Sequence, residues 1–146
     1  MIALRRRFTS FQKSTLFCGG TTDTLLQVSC YRHMKKSALH EWIRSYNWDD
    51  GLAPMWSIVE SDATEFATAL LIYWRLEGPW FQSGAATNDE VARLHALVEK
   101  RLLEGVYAKG SIRYNPVADN RLSRVQVFKL KQSGLPIQLL EPDYGS

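Results

Sequence analysis

Past residue 33 the chain has no cysteine, because its two, Cys18 and Cys30, both lie in the leading segment. Residues 34–146 therefore cannot build a disulfide, a thiol redox couple or a thiolate zinc site, which suits a reducing cytoplasm. Also missing is any apolar run of the roughly 18 residues that a membrane-spanning helix needs. The nearly all-apolar stretch from Phe66 to Trp74 is shorter than that, and Glu65, Arg75 and Glu77 flank it closely. A secretory signal would require an apolar core of about 7–15 residues and a small-residue cleavage site. Neither is present, and no membrane association is expected.

Chemical motifs are equally scarce. His40-Glu41 begins like the helix of a zinc protease, but that motif needs a second histidine where Arg44 stands. Ser57, Ser83, Ser111 and Ser123 sit in no nucleophile-elbow pattern, and Gly19, Gly20 and Gly51 form no phosphate fingerprint. Asp49 and Asp50 are adjacent carboxylates, yet a calcium loop would place oxygen ligands at alternate positions with a distal glutamate, which this segment lacks. Their ordinary role is in a turn or cap. His95, beside the apolar Leu94, Ala96 and Leu97, has the setting of a packed, hydrogen-bonded imidazole. No catalytic residue, metal site or cofactor is expected, and enzymatic activity has no positive support.

What is present is a single-domain composition: 146 residues, 45% hydrophobic, 23% charged and 12% aromatic. Residues 1–33 differ from the rest, with Arg5, Arg6, Arg7, Lys13 and Arg32 against Asp23 alone and no amphipathic period. They read as disordered or as a mis-annotated extension. An Arg-rich, Ser-rich, acid-poor leader is also compatible with an organellar transit peptide. We favour a start at Met34, because Met34-Lys35-Lys36-Ser37 opens directly onto the first helical pattern, making residues 34–146 one helical domain.

In that domain Ser37 is a candidate N-cap for a helix carrying Leu39, Trp42, Ile43 and Tyr46, which should stop at a left-handed Asn47 before a tight Asp50-Gly51 turn. Pro54, Met55, Ile58 and Val59 predict a short second helix. Asp62 to Glu65 has the form of a capping box, from which a helix should run through Phe66 to Leu76 and end at Gly78-Pro79. Thr87 to Glu90 is a second box, followed by the stripe Val91, Leu94, Val98 and Leu102 up to Gly105. Tyr107 to Tyr114 carries no clear pattern, and Asn115-Pro116 should break whatever precedes it. From Asp119 onward Leu122, Val125, Phe128 and Lys129 fit a helix, while Val125, Val127 and Lys129-Leu130 also fit an alternating strand; we take helix. The tail from Leu135 to Ser146 should run extended over the surface. The expected fold is mainly α: a compact stack of four or five short antiparallel helices around one buried helix, with the C-terminal segment extended or in a short strand.

Leu39-His40-Glu41-Trp42 leading into Tyr46-Asn47-Trp48-Asp49-Asp50-Gly51, followed by Ala67-Thr68-Ala69-Leu70-Leu71-Ile72-Tyr73-Trp74, resembles the bacterial family called domain of unknown function 4274. The resemblance covers about half of the chain from Met34 onward, and residues 1–33 have no counterpart in it. Members are mostly small bacterial proteins, and some occur where toxin and immunity genes cluster. That implies a protein-binding role and supplies no catalytic residues.

Charge adds a second clue. Residues 37–106 hold eleven acids against five bases, whereas residues 107–133 hold six bases against Asp119. The two halves can simply neutralise each other within one fold, but each can also face a partner. An acidic face could mimic the phosphates that a nuclease toxin expects. The expected function is a protein-binding module, an immunity-type protein of the cytoplasm that neutralises a cognate toxin by occluding it. Candidate contacts are Trp48, Asp49, Asp50, Glu60 and Asp62. The alternative is a nucleic-acid-binding accessory protein using Lys109, Arg113, Arg121, Arg124, Lys129 and Lys131, interleaved with Tyr107, Tyr114 and Phe128.

Overall fold

A computed structural model describes residues 31, 33–81 and 89–143. Among them are six α-helices, three short 3-10 turns and no strand. The mainly helical expectation therefore holds, with one more helix than anticipated. The reading of residues 1–33 falls almost wholly outside the described residues. Tyr31 is an exception, its ring centroid 4.9 Å from that of Trp42.

Helix α1 spans Lys36–Ser45 and buries His40 and Ile43. Its N-cap is Lys35, without a side-chain bond, so Ser37 lies inside the first turn. Nor does the helix end through a left-handed asparagine. Tyr46 leaves it in extended conformation, and Asn47, at φ −84°, instead caps the 3-10 turn Trp48–Asp50 through its side chain. The left-handed position falls to Gly51, at φ 102°, where a side chain would be strained.

Helix α2, Ala53–Glu60, starts with Pro54 in its first turn and buries Met55, Ile58 and Val59. Helix α3, Phe66–Arg75, is buried at every position from Phe66 to Trp74. The Asp62–Glu65 capping box does not form: Glu65 is the N-cap, and no side chain caps the helix. The Glu65 carboxylate is engaged elsewhere, with Lys36 and the backbone N–H of Ile112, and Asp62 pairs with Arg101. After Arg75 the chain passes through a left-handed Glu77, at φ 70°, into the 3-10 turn Gly78–Trp80.

Helix α4, Asp89–Leu103, turns Leu94, Val98 and Leu102 inward, with Val91 only partly covered. Thr87 and Asn88 of the second expected box lie outside the described residues. Gly105 adopts φ 70°, and the Val106 and Gly105 amides reach back to the Arg101 and Leu102 carbonyls, closing the helix as a Schellman motif.

Asn115-Pro116 begins an element where a break was expected. The Asn115 side chain accepts from the Ala118 amide 3.1 Å away, and Pro116 opens the single-turn helix α5, Pro116–Asp119. Helix α6, Arg124–Gln132, follows, which settles helix over strand; its start lies at Ser123 and not at Asp119. The tail also departs from expectation. Ile137–Leu139 forms a 3-10 turn, Leu139 and Leu140 are buried, and Tyr114 and Asp143 exchange backbone bonds of 2.9 and 2.8 Å in an isolated antiparallel bridge. The physical reason is both apolar and polar: Leu139 and Leu140 are buried with Trp74 in the core, and the Leu139 carbonyl accepts the Trp74 indole N–H at 2.8 Å.

The core gathers around α3, which packs against α1, α2, α4, α5 and the Gly78–Trp80 turn. Tyr107, from the segment after α4, reaches under α2 to donate its hydroxyl to the Val59 carbonyl at 2.6 Å.

Candidate functional site

The turn after α1 is braced on every side. Asn47 accepts from the Asp49 amide at 3.3 Å and donates to the Asp50 carboxylate at 3.0 Å, while the Tyr46 hydroxyl donates to the Gly51 carbonyl at 2.9 Å. Burial and the neighbouring Asp50 charge both push the Tyr46 phenol above its ordinary pKa, so it stays a donor at neutral pH. Trp42, Tyr46 and Trp48 form a row of half-buried rings, with centroids 4.8 and 5.9 Å apart. Asp49 and Asp50 stand exposed at its end. The hexapeptide thus builds a fixed display of aromatic faces and carboxylates.

The five residues picked out as partner contacts do not form one cluster. Trp48, Asp49 and Asp50 precede α2, whereas Glu60 and Asp62 follow it, and eight helical residues separate the two ends by about 12 Å. Arg101 holds the far end, donating to the Glu60 carbonyl at 3.2 Å and to the Asp62 carboxylate.

The cations divide in the same way. Lys109 lies over the Phe66 ring, 5.5 Å from its centroid, and Arg113 sits on the loop ahead of α5. Arg121, Arg124, Lys129 and Lys131 are exposed on and just before α6. Tyr107 and Tyr114, which were to interleave with them, are buried.

Sequence reasoning missed a polar seam between α1, α3 and the segment 108–119. His40 Nδ1 lies 3.1 Å from Thr68 Oγ1, and its Nε2 has no hydrogen-bond partner among the described residues. Burial holds this imidazole below its ordinary pKa of 6.5, against raising contributions from Glu41, Asp119 and Glu65. Glu65, 4% exposed, is 3.3 Å from Lys36 Nζ and accepts from the Ile112 amide at 3.3 Å. Gly110 backs onto that carboxylate so closely that a Cβ there would come within 2.1 Å of Glu65 Cδ. Asp119 collects Arg44 at 3.1 Å, Arg75 at 3.6 Å and the Tyr114 hydroxyl at 3.2 Å. The one available signal was polar side chains interrupting apolar helix faces at His40, Glu65 and Thr68.

Apart from the His40 Nε2 and Arg75 Nε atoms, which have no partner among the described residues, these groups pair with one another across the seam and tie distant parts of the chain together. His95 is likewise committed, its Nε2 2.9 Å from the Gly78 carbonyl and its ring stacked on Phe81. Among the described residues no three His, Cys, Asp or Glu side chains could share a metal ion, and no helix is long and apolar enough to cross a membrane. A groove of about 390 Å³ runs between the end of α4 and the tail, lined by Phe66, Leu102, Tyr107, Lys109, Glu141 and Asp143.

Comparison with family models finds the one described as Domain of unknown function (DUF4274) over residues 34–109. No curated protein and no solved structure matches the chain. The matched span contains the braced turn, α3 and α4, while Ile112, whose amide donates to Glu65, and Asp119, which pairs with Arg44 and Arg75, lie beyond it.

Proposed function

The chain belongs to the family described as Domain of unknown function (DUF4274), and on that premise we propose that it is a protein-binding module, more narrowly an immunity-type protein that neutralises a cognate bacterial toxin in the cytoplasm by covering it. The observation that carries this reading is the braced Trp48–Asp50 turn. Hot spots at protein interfaces are rigid aromatic anchors beside charges, and a turn fixed before binding loses little entropy on docking. Exposed carboxylates at its tip suit a partner whose contact surface is basic, as on a nuclease. Committed polar groups in the interior suit the same role, since a covering protein needs surfaces and no reactive cleft.

The test is co-expression with each product of the reading frames flanking the gene. A toxic product whose growth arrest this chain relieves, with relief lost on Trp48→Ala or Asp49→Lys while the variants stay folded, is the expected result. Absence of any complex by size-exclusion chromatography with every flanking product would refute it. The alternative, a nucleic-acid-binding accessory protein, draws on the exposed Arg121, Arg124, Lys129 and Lys131. It requires measurable DNA or RNA affinity that falls steeply with added salt, whereas the immunity reading requires none.

A further inference from the structure

Helix α6 shows an outward face that the described residues leave bare. Both ends are closed by local bonds: Ser123 and Gln126 form a reciprocal capping box, and at the other end the Leu135 and Gly134 amides reach the Leu130 and Lys131 carbonyls, with Gly134 at φ 85°. The helix is therefore well formed although Leu130 is its one buried residue. Val125 and Phe128 are 61% and 60% exposed. At about 100° per residue they fall together on the side away from Leu130, with Arg124 and Lys131 along one border and Lys129 along the other. Residues 120–140 hold four cations and no acid. An apolar centre bordered by charge of one sign has the anatomy of an interface.

The same chain carries the complement. At the braced turn, half-buried Trp48 adjoins exposed Asp49 and Asp50, with Tyr46 and then Trp42, which also packs against Tyr31, behind it, within a region, residues 37–106, of eleven acids and five bases. We propose that α6 of one molecule docks on the Trp48–Asp50 turn of a second copy, Phe128 and Val125 meeting the Trp48 indole while Arg124 and Lys129 face the carboxylates. The contact joins two different patches, so it is head-to-tail, and an assembly that does not close into a ring leaves one turn and one helix free at its ends. It is a small interface, so the association is weak and dependent on concentration and salt. It draws on the exposure of the turn and not on the identity of any toxin, although the two occupants would compete there.

Sedimentation of the intact chain over a range of concentrations at low and high salt tests this. The expected result is a mean mass that climbs past twice the monomer at low salt and falls back in high salt. Phe128→Glu and Asp49→Lys should each abolish the climb, with unfolding midpoints near that of the parent because both side chains are exposed. Mixing the two variants is the sharper experiment, since each keeps one intact patch: a 1:1 complex should form and stop at twice the monomer mass. A parent chain that stays monomeric throughout, a variant that still assembles alone, or a mixture that fails to pair would each overturn the proposal.

Discussion

Helices α3 and α6 are ten and nine residues long, and they are stabilised by different means. From Phe66 to Trp74, α3 is enclosed on all sides, yet no side chain caps its N-terminus. In α6 a capping box and a glycine closure secure the ends, while Val125 and Phe128 face solvent. An isolated helix of this length is marginal in water, so each needs outside support. For α3 the support is burial, at about 1.5–3 kcal/mol for each large apolar side chain. For α6 it is the burial of Leu130, with Val127 packed against the core, to which its own end bonds add about 1 kcal/mol for a good N-cap. The comparison teaches that a helix enclosed by its neighbours belongs to the core, and one anchored along one side and closed by its own caps is free to offer a face.

The largest break in that comparison comes from truncating α3. Leu71→Ala, at a fully buried position, should cost about 2–5 kcal/mol in chemical denaturation. A loss under 1 kcal/mol would mean that α3 is not the centre of packing. Next, Gly110→Ala forces a Cβ against the Glu65 carboxylate and should cost about 1–3 kcal/mol, with the Lys36 contact weakened in parallel. Ser123→Ala removes the α6 cap and should cost about 1 kcal/mol, with faster hydrogen exchange confined to that helix. Exchange that quickens equally in α3 would show the two helices to be one cooperative unit.

The pH dependence follows from His40. Its folded pKa lies below the 6.5 of the unfolded chain, so between those values the unfolded state binds more protons. This contribution to stability is complete above 6.5 and is lost as pH falls through the folded value. The unfolding midpoint should decline as the solution is acidified through that window, and His40→Gln should flatten the decline. The smallest effect is expected of Phe128→Ala, within about 0.5 kcal/mol of the parent.

The elements of the matched region were largely legible because helix periodicity needs only neighbours in sequence. Leu39, Ile43, Met55, Ile58, Val98 and Leu102 fall where their spacing puts them. Errors arose where a polar side chain had a choice of partners. Glu65 looks like half of a capping box until Lys36 and Ile112 arrive from far along the chain to claim it. Asn47 could have ended one helix and instead begins the next turn. The tail looked unattached because nothing local says that Trp74 needs the Leu139 carbonyl. The aromatic-acidic turn was legible as a motif, whereas its rigidity and its distance from Glu60 and Asp62 were not.

By itself, then, the sequence determined the mainly helical class, the buried centre at Phe66–Trp74, the family resemblance and the division of charge between residues 37–106 and 107–133. All of these depend on composition and short-range spacing. Tertiary structure alone decided that His40, Glu65 and Asp119 are consumed in holding the fold, that the tail completes the core, and that Val125 and Phe128 stay outside. Burial and hydrogen-bond partnership are properties of residues brought together from distant positions, and no local pattern encodes which of two competing partners will come within reach.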